Sequence, residues 1–408
     1  MNASDRSFRP SAPAPLLEPG AVEEVRSLLD EAGLDGWLLW DFADHNPLAH
    51  GLLGLGKTTR RAWAFFPTEG DPRLLRHAIE ASSWQHWPWE QSSYASWDQV
   101  VPALTELLGG ARRVAMEHSP DGAVPTVDRV PGGVLDLVRA AGARVESSGD
   151  LVSRFFGQWG PEGLASHRRN ARIVRETAHG AFRRAADAAA AGTPVREAPL
   201  MGWIRDRLHA QGVSEQVGCI AALGRTASDP HYHPAGEGEA IDAGSLVLVD
   251  LWGTEPGGIP ADQTWMAWIG DAPDDRSMEV WTAVLEARDA ALDLLFRRHR
   301  EGAEIRGHEV DRKARDVLDA RGFGPWFVHR LGHSIDERLH GSGPNLDDLE
   351  TRDTRLILPG TGFSIEPGVY IPGEIGVRSE VNVYWSDAEG PVVTPDEIQE
   401  ELLVLPAG

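Results

Sequence analysis

Two apolar segments constrain this chain most, because each carries a carboxylate at a position that a β-sheet would bury. Asp250 lies near the end of the segment 245–253, and Asp262 lies at the start of Ala261–Ile269. The linker 254–260, with a Pro-Gly-Gly core, has strong turn chemistry, so the segments are predicted to pair as an antiparallel hairpin. Side chains alternate along a strand, and both carboxylates can therefore face one side of the hairpin. Buried carboxylates are costly unless they are paired or bind a metal.

Three further metal-binding side chains follow in strand-like or glycine-punctuated segments. Four carboxylates at one point would raise each other's pKa values until some became protonated. Two divalent cations balance four negative charges, and paired cations can activate a water for hydrolysis. An oxygen-rich set with one imidazole favours Mn²⁺, with Co²⁺, Fe²⁺ or Zn²⁺ as alternatives. The sequence therefore predicts a dinuclear metallohydrolase. The expected ligands are Asp250, Asp262, His333, Glu366 and Glu380.

The segment around Glu380 is predicted to be a single strand. Alternation then places Arg378, Glu380, Asn382 and Tyr384 on one face. Glu380 is therefore expected to reach the metals with an arginine beside it.

Histidines near the expected ligands are candidate catalytic or binding residues. His329, His333 and His340 are spaced by four and seven residues, and His231 lies in a Gly-Pro-rich stretch. Other histidines are interpreted as ordinary surface or core residues. These are His45, His50, His86 and His233.

Strand-like and helix-like patterns alternate from about residue 20 to residue 150, which indicates an α/β domain. A long helical run begins near residue 166, and the pattern then changes to long helices and long antiparallel strands. We therefore expect a flexible tail over residues 1–20, an N-terminal domain over residues 21–157 and a catalytic domain over residues 158–408.

Composition excludes several function classes. The net charge of −23 repels nucleic acid and anionic lipid, so neither is an expected partner. No segment approaches the roughly 20 apolar residues that cross a bilayer, and the N-terminus lacks the apolar core of a signal peptide. The single cysteine, Cys219, fits a reducing compartment and is interpreted as core packing. A cytoplasmic location is expected.

Two other motifs are candidate ligand sites. Residues 51–58 match the phosphate-binding pattern G-x-x-x-x-G-K-[ST], with Gly51, Lys57 and Thr58 at the defining positions. No strand precedes the motif and a strand rather than a helix follows it, so nucleotide binding is rejected. The tryptophan-rich segment 84–89 is consistent with a stacking platform or with core or dimer packing.

At the five expected ligands, the chain resembles the pita-bread metallopeptidase family, which includes methionine aminopeptidase, aminopeptidase P, prolidase and creatinase. The resemblance covers about residues 160–408, and the histidine spacing favours the prolidase and aminopeptidase P branch. It implies an α/β architecture: a creatinase-like N-terminal α/β domain and a C-terminal pita-bread α+β domain with a curved antiparallel sheet. It also implies a homodimer.

The chain departs from the family pattern at three points. Asp250 and Asp262 lie twelve residues apart, one more than usual, which the Pro-Gly-Gly loop can absorb. Asp336 replaces the usual glycine after His333, and Gly341 replaces the usual acid after His340. These changes leave the metal ligands intact and affect the expected shape of the substrate pocket.

The resemblance implies hydrolysis of Xaa-Pro bonds in dipeptides or short peptides. We hypothesise that Glu366 moves the proton of the attacking water, and that His340, aided by His231, stabilises the oxyanion. By resemblance, His329, Tyr370 and Arg378 line the pocket for proline and its carboxylate. The alternatives are a metal-dependent lyase or non-peptide amidase on the same fold, and a binding protein without catalysis.

Overall fold

A computed structural model describes residues 15–407, and the chain divides between Phe156 and Gly157 into two compact units. The boundary expected from the sequence lies one residue later. Of the expected tail, residues 1–14 lie outside the described residues. Pro15–Leu17 form a short 3₁₀ helix with Leu16 buried, so the first unit begins before Ala21.

The first unit is built on one mixed sheet with strand order β4-β3-β2-β1-β5-β6. β1 runs parallel to β5 and antiparallel to β2, and β3 runs parallel to β4. The strands are β1 (Gly36–Asp41), β2 (Ala62–Pro67), β3 (Arg73–His77), β4 (Glu90–Tyr94), β5 (Arg113–Met116) and β6 (Arg144–Ser147). The helices are α1 (Ala21–Ala32), α2 (Pro47–Leu53), α3 (Val100–Leu108), α4 (Gly132–Ala140) and α5 (Gly149–Phe156).

Local sequence explains the helices of this unit. α1 ends at Gly33, which adopts the left-handed conformation that glycine tolerates best. α2 begins after Asn46, whose side chain accepts hydrogen bonds from the first free backbone N–H groups. The phosphate-loop pattern therefore begins in the last turn of α2 and continues into the loop before β2, so a helix precedes it and a strand follows it, which is the wrong context for a nucleotide loop. Trp84 and Trp87 are buried against Phe66, so these two side chains serve core packing.

The second unit contains a sheet in which β7 (Glu215–Leu223), β8 (Ser245–Thr254) and β9 (Ala261–Ile269) are antiparallel neighbours, and β16 (Leu403–Leu405) lies parallel to β9 at the edge. The hairpin expected from the sequence is confirmed. The helices are α6 (Pro161–Ala190), α7 (Glu197–Ala210), α8 (Asp275–Glu301) and α9 (Gly307–Ala320). The remaining strands are β10 (Ser334–Ile335), β11 (Gly362–Ile365), β12 (Gly368–Ile371), β13 (Ile375–Arg378), β14 (Val381–Ser386) and β15 (Gly390–Thr394).

The two faces of the sheet that contains β8 and β9 pack against two different hydrophobic cores. Val247, Val249 and Leu251 pack with residues of α6 and α7. Leu246 and Leu248 pack with residues of α8, α9 and the strands from β11 to β14. Because side chains alternate, the even-numbered positions of β8 and β9 face this second core, and both expected aspartates occupy even-numbered positions.

The segment expected to be one strand around Glu380 is instead two strands, so that prediction is wrong. β13 ends at Arg378 and pairs with β12, whereas β14 starts at Val381 and pairs with β11 and β15. Glu380 lies in the break, where its backbone N–H donates to the carbonyl of Thr264 at 3.3 Å. The chain changes partner sheets here, and alternation along one continuous strand does not apply.

The structure bears on the expectations for the single cysteine and for membrane-spanning segments. Cys219 is buried in β7 within the core formed with α6 and α7, which confirms the packing interpretation, and burial raises the pKa of its thiol to about 12. Among residues 15–407, none of the helices is both long and apolar enough to cross a membrane.

Candidate metal centre and substrate cavity

The hairpin brings the two aspartates together on one face. In the register of β8 and β9, Asp250 lies opposite Thr264, and Asp262 lies opposite Trp252. Thr264 connects several groups of the site: its Oγ1 lies 3.3 Å from Asp250 Oδ1 and 2.8 Å from Glu380 Oε2. The prediction that both carboxylates share one face is confirmed.

His333 and Glu366 come from a tightly packed crossing of two segments. A side chain at Gly332 would place its Cβ 1.9 Å from the carbonyl oxygen of Ser364, so the backbones approach only because this residue is glycine. The hydroxyl of Ser364 accepts from the backbone N–H of His333 at 3.0 Å and lies 3.0 Å from Glu366 Oε1. His333 Nε2 lies 3.4 Å from Asp262 Oδ2 and 3.6 Å from Glu366 Oε1.

These distances fit a shared cation. Atoms that bind one ion at about 2.1 Å lie roughly 3–3.5 Å apart when the ion has tetrahedral or octahedral geometry. Ligand atoms of Asp262, His333 and Glu380 all lie within 4.8 Å of one another. Glu380 Oε1 is buried and has no hydrogen-bond partner among residues 15–407, which leaves one carboxylate oxygen available to a metal.

The electrostatics also fit a cation. Burial, followed by the charges of neighbouring carboxylates, raises the pKa of Glu380 well above its usual range. Burial also raises the pKa of Asp250 to about 7, although the charge of Arg378 opposes this shift. Burial raises the pKa of Asp262 as well. For Glu366, burial raises the pKa, but the surrounding His333, His329 and Arg378 outweigh it and the net shift is downward. Bound divalent cations would stabilise the ionised form of all four carboxylates.

A cavity of about 510 Å³ contains this cluster. All five expected ligands line it, and so do His231, His329, His340 and Arg378. Sequence reasoning missed several lining residues, because none of them lies in a segment whose pattern indicates a metal ligand. These are Ile220, Trp252, Pro230, Val328, Arg330, Leu339 and Glu350.

His340 packs against the cluster, and within residues 15–407 it forms no hydrogen bond with the metal-ligand side chains. Its ring centroid is 4.4 Å from that of His333 in an edge-to-face arrangement. Burial, with the nearby charges of His333 and Arg330, lowers the pKa of His340 to about 4. The imidazole is therefore neutral near pH 7 and has one N–H to donate.

Asp336 and Gly341, the two departures from the family pattern after His333, lie in contact in the same loop. The carboxylate of Asp336 accepts from the backbone N–H groups of Arg338 and Ser342 at 2.8 and 2.7 Å. A Cβ at Gly341 would lie 2.8 Å from the backbone nitrogen of Asp336. The aspartate thus closes the loop that carries His340, and the glycine provides the space for this tight turn.

The expected substrate residues form a connected chain beside the metal ligands. Tyr370 OH lies 2.9 Å from His329 Nε2 and accepts from Arg378 at 3.3 Å. Arg378 also donates to Thr264 at 2.8 Å and to Asp250. An arginine has five N–H donors, and the contacts of Arg378 within residues 15–407 leave two of them unused. Alternation along β9 could have identified Thr264, which is two residues from Asp262.

The loop with His231 is held by a buried carboxylate that sequence reasoning also missed. Glu197, at the start of α7, accepts from Thr226 and Tyr232, both at 2.6 Å. Its carboxylate also accepts from the backbone N–H groups of Leu223 and Glu239. These bonds connect both ends of the 223–239 segment to one helix, and His231 from this segment faces the cavity.

Comparison with known proteins places this geometry in a family. Residues 168–387 match the model of metallopeptidase family M24. The match spans more than half of the chain, and the protein belongs to this family.

Two relatives illustrate the similarity in sequence. The probable dipeptidase PepE of Mycobacterium tuberculosis is 33% identical over 210 residues, which are 52% of this chain and 52% of the relative. The Xaa-Pro dipeptidase of Lactobacillus helveticus is 34% identical over 190 residues, which are 46% of this chain and 48% of the relative. The chain thus spans about half the length of the curated relatives that it matches.

Solved structures extend the similarity to nearly the whole fold. Dipeptidase PepE from Mycobacterium ulcerans superimposes with a TM-score of 0.65 at 23% identity, covering 94% of this chain and 97% of the other. Xaa-Pro dipeptidase from Bacillus anthracis gives a TM-score of 0.58 at 22% identity, covering 94% and 99%. The expected architecture, an N-terminal α/β domain followed by a pita-bread domain, is confirmed.

Proposed function

We propose that this protein is a dinuclear metal hydrolase that cleaves the Xaa-Pro bond of dipeptides or short peptides. The observation that carries the proposal is the convergence of four carboxylates, three of them buried, and one buried imidazole on a single cavity. The names of relatives such as the Xaa-Pro dipeptidase of Lactobacillus helveticus support the substrate class.

Two divalent cations per chain are proposed to occupy the cluster. Their ligands would be Asp250, Asp262, His333, Glu366 and Glu380. When bound, such ions lower the pKa of a water and polarise the scissile carbonyl. Oxygen-rich coordination favours Mn²⁺ over softer ions, with Co²⁺, Fe²⁺ and Zn²⁺ as alternatives.

Glu366 and the histidines supply the proton transfers and hydrogen bonds. Glu366 accepts the proton of the attacking water and returns it to the leaving proline nitrogen. His340, neutral at pH 7, donates its N–H to the oxyanion that forms at the scissile carbonyl. His231 lines the same cavity and is proposed as a second, weaker donor.

The proposed preference for proline rests on the side of the cavity lined by His329 and Arg378, to both of which the hydroxyl of Tyr370 is hydrogen-bonded. Proline has no N–H and its ring fixes φ, so an enzyme that binds peptides through backbone hydrogen bonds loses a contact there. A pocket shaped for the ring compensates for this loss. The two remaining donors of Arg378 are proposed to bind the carboxylate of a dipeptide.

A homodimeric assembly and a cytoplasmic location are also proposed. The homodimer implied by the family resemblance is tested by the mass of the purified protein in solution. A cytoplasmic location is supported by the single buried cysteine, since intracellular proteins rarely depend on disulfides. The net charge of −23 favours neither nucleic acid nor anionic membranes as partners.

A peptide panel tests the substrate class. Metal-loaded enzyme is given Xaa-Pro dipeptides, Xaa-Pro tripeptides and matched Xaa-Ala peptides, and kcat/KM is measured for each. One or two lost ring contacts correspond to roughly 10–200-fold in kcat/KM, so alanine analogues should be cleaved that much more slowly. Equal rates for both series, or cleavage of neither, would refute the proposal and favour a lyase or amidase on this fold.

Arg378→Leu separates dipeptides from longer substrates in the same panel. The carboxylate of a dipeptide reaches the arginine, whereas that of a longer peptide lies farther along the chain. Dipeptide kcat/KM should therefore fall more than that of tripeptides. An equal fall in kcat/KM for all peptides would instead indicate that Arg378 acts by holding Asp250 in position.

A further inference from the structure

A second cavity, of about 610 Å³, lies in the first unit where several strands of its sheet end. Trp40, His77 and Tyr94, at or next to the carboxyl ends of β1, β3 and β4, line it, and so does Pro131, which precedes α4. These three strands are parallel, since β2 is antiparallel to both β1 and β3. Ligands of open α/β sheets bind outside the carboxyl ends of the strands. The cavity therefore occupies the position of a ligand site.

The charge of this cavity is opposite to that of the protein. Arg60 and Arg61 line it, whereas its lining residues include no Asp or Glu. Within the described part of the chain, neither arginine forms an ion pair with a carboxylate. Tyr94 donates to the backbone carbonyl of Arg61 at 2.9 Å, which fixes the chain from which this guanidinium extends. In a protein of net charge −23, unpaired cations around a cavity indicate an anionic ligand.

Aromatic side chains form another part of the lining. Trp97 is 83% exposed and Phe42 is 40% exposed, so both rings are accessible to a ligand. Trp40 is buried, and its indole N–H has no hydrogen-bond partner among the residues described. Aromatic walls favour a planar ring as ligand, through stacked or edge-to-face contacts.

We propose that this cavity binds a small planar aromatic molecule that carries a carboxylate or phosphate group. The guanidinium of Arg61 presents two parallel N–H donors, a geometry that matches the oxygens of either anion. Trp97 and Phe42 contact the ring. The proposal concerns residues of the first unit only, and it does not depend on the metal centre or on the proposed peptidase activity.

Calorimetric titration of the full-length protein tests this proposal with four probes. Indole-3-carboxylate and adenosine 5′-monophosphate each combine a ring with an anion, adenosine has the ring without the anion, and inorganic phosphate has the anion alone. At least one of the first two should bind at least tenfold more tightly than adenosine or phosphate. Comparison of these two probes distinguishes a carboxylate ligand from a nucleotide-like one. Binding of neither, or equal binding of all four, would overturn the proposal.

Three variants locate the binding. Arg61→Ala and Trp97→Ala should each weaken the bound probe tenfold or more, while Arg139→Ala, an exposed arginine on α4, serves as the matched control and should not. Unchanged affinity in both cavity variants would place the ligand elsewhere and overturn the proposal. If instead Trp97→Ala converts a dimer into a monomer and the probes do not bind the wild type, the surface is an interface between copies.

Discussion

Glu197→Gln is expected to destabilise the second unit strongly, because one buried carboxylate accepts four hydrogen bonds. Glu197 Oε1 accepts from Leu223 at 3.1 Å and from Thr226 at 2.6 Å. Its Oε2 accepts from Tyr232 at 2.6 Å and from Glu239 at 2.8 Å. A carboxamide keeps one oxygen but turns an NH₂ group toward two of these donors. The backbone N–H on that side loses its acceptor, the hydroxyl on that side can only reverse and accept, and the remaining bonds no longer go to a charged group.

The size of the effect follows from these losses. A hydrogen bond to a charged group contributes about 1.5–3 kcal/mol and a neutral one about 0.5–1.5 kcal/mol, so one lost bond and three weakened ones in Glu197→Gln should lower the free energy of unfolding by roughly 4–7 kcal/mol. Tyr232→Phe removes a single donor and should cost about half as much, which makes it the matched control. The loss is large for a domain whose total stability is on the order of 10 kcal/mol.

Denaturant unfolding, followed by circular dichroism, measures both variants. The expected result is a lower midpoint with an unchanged dependence on denaturant, since the buried surface stays the same. If Glu197→Gln is destabilised by less than about 1 kcal/mol, or by less than Tyr232→Phe, the carboxylate does not hold the 223–239 segment and the reasoning fails.

Three further predictions address other groups. His340→Ala should retain bound metal but lower kcat by on the order of 10²–10³, and wild-type turnover would remove this residue from the mechanism. Burial outweighs three hydrogen bonds and raises the pKa of Glu117 from 4.5 to about 7. The folded state therefore holds the proton more tightly, and stability should fall by up to about 3 kcal/mol as the pH rises from about 4.5 to 7. Glu117→Gln should reduce that slope in pH-dependent unfolding, and an identical slope would contradict the assignment. Lys57→Ala should leave peptidase activity unaltered, and calorimetry should detect no ATP binding; a Lys57-dependent affinity would restore the phosphate-loop interpretation.

Elements specified by local patterns could be predicted from the sequence. The alternation of strands and helices expected from about residue 20 to residue 150 is observed, and α1 over Ala21–Ala32 ends at the glycine cap Gly33. The hairpin of β8 and β9 agrees with its expected bounds within one residue, because apolar alternation and a Pro-Gly-Gly turn specify it locally. Clustering of the five expected ligands followed from the cost of burying unpaired carboxylates.

Features that depend on distant partners were missed. The strand Glu90–Tyr94 has a polar sequence and is recognisable only through its pairing with β3. The break before Glu380 arises because the chain leaves one sheet for another, which alternation within a segment cannot reveal. Likewise, nothing near Glu197 indicates that Tyr232 reaches back to it, and His50 was assigned no role although it lies 3.0 Å from Asp41.

The amount of metal bound per chain tests the central claim most directly. The four carboxylates of the cluster carry the charge that two divalent cations would balance, so elemental analysis of wild-type protein loaded with Mn²⁺ should find two ions per chain. Asp262→Asn and Glu380→Gln should each lose that stoichiometry, while Lys57→Ala, far from the cluster in sequence and in a different unit, should keep it. Two ions per chain in either ligand variant, or none in the wild type, would contradict the assignment of this cluster as a dinuclear metal centre.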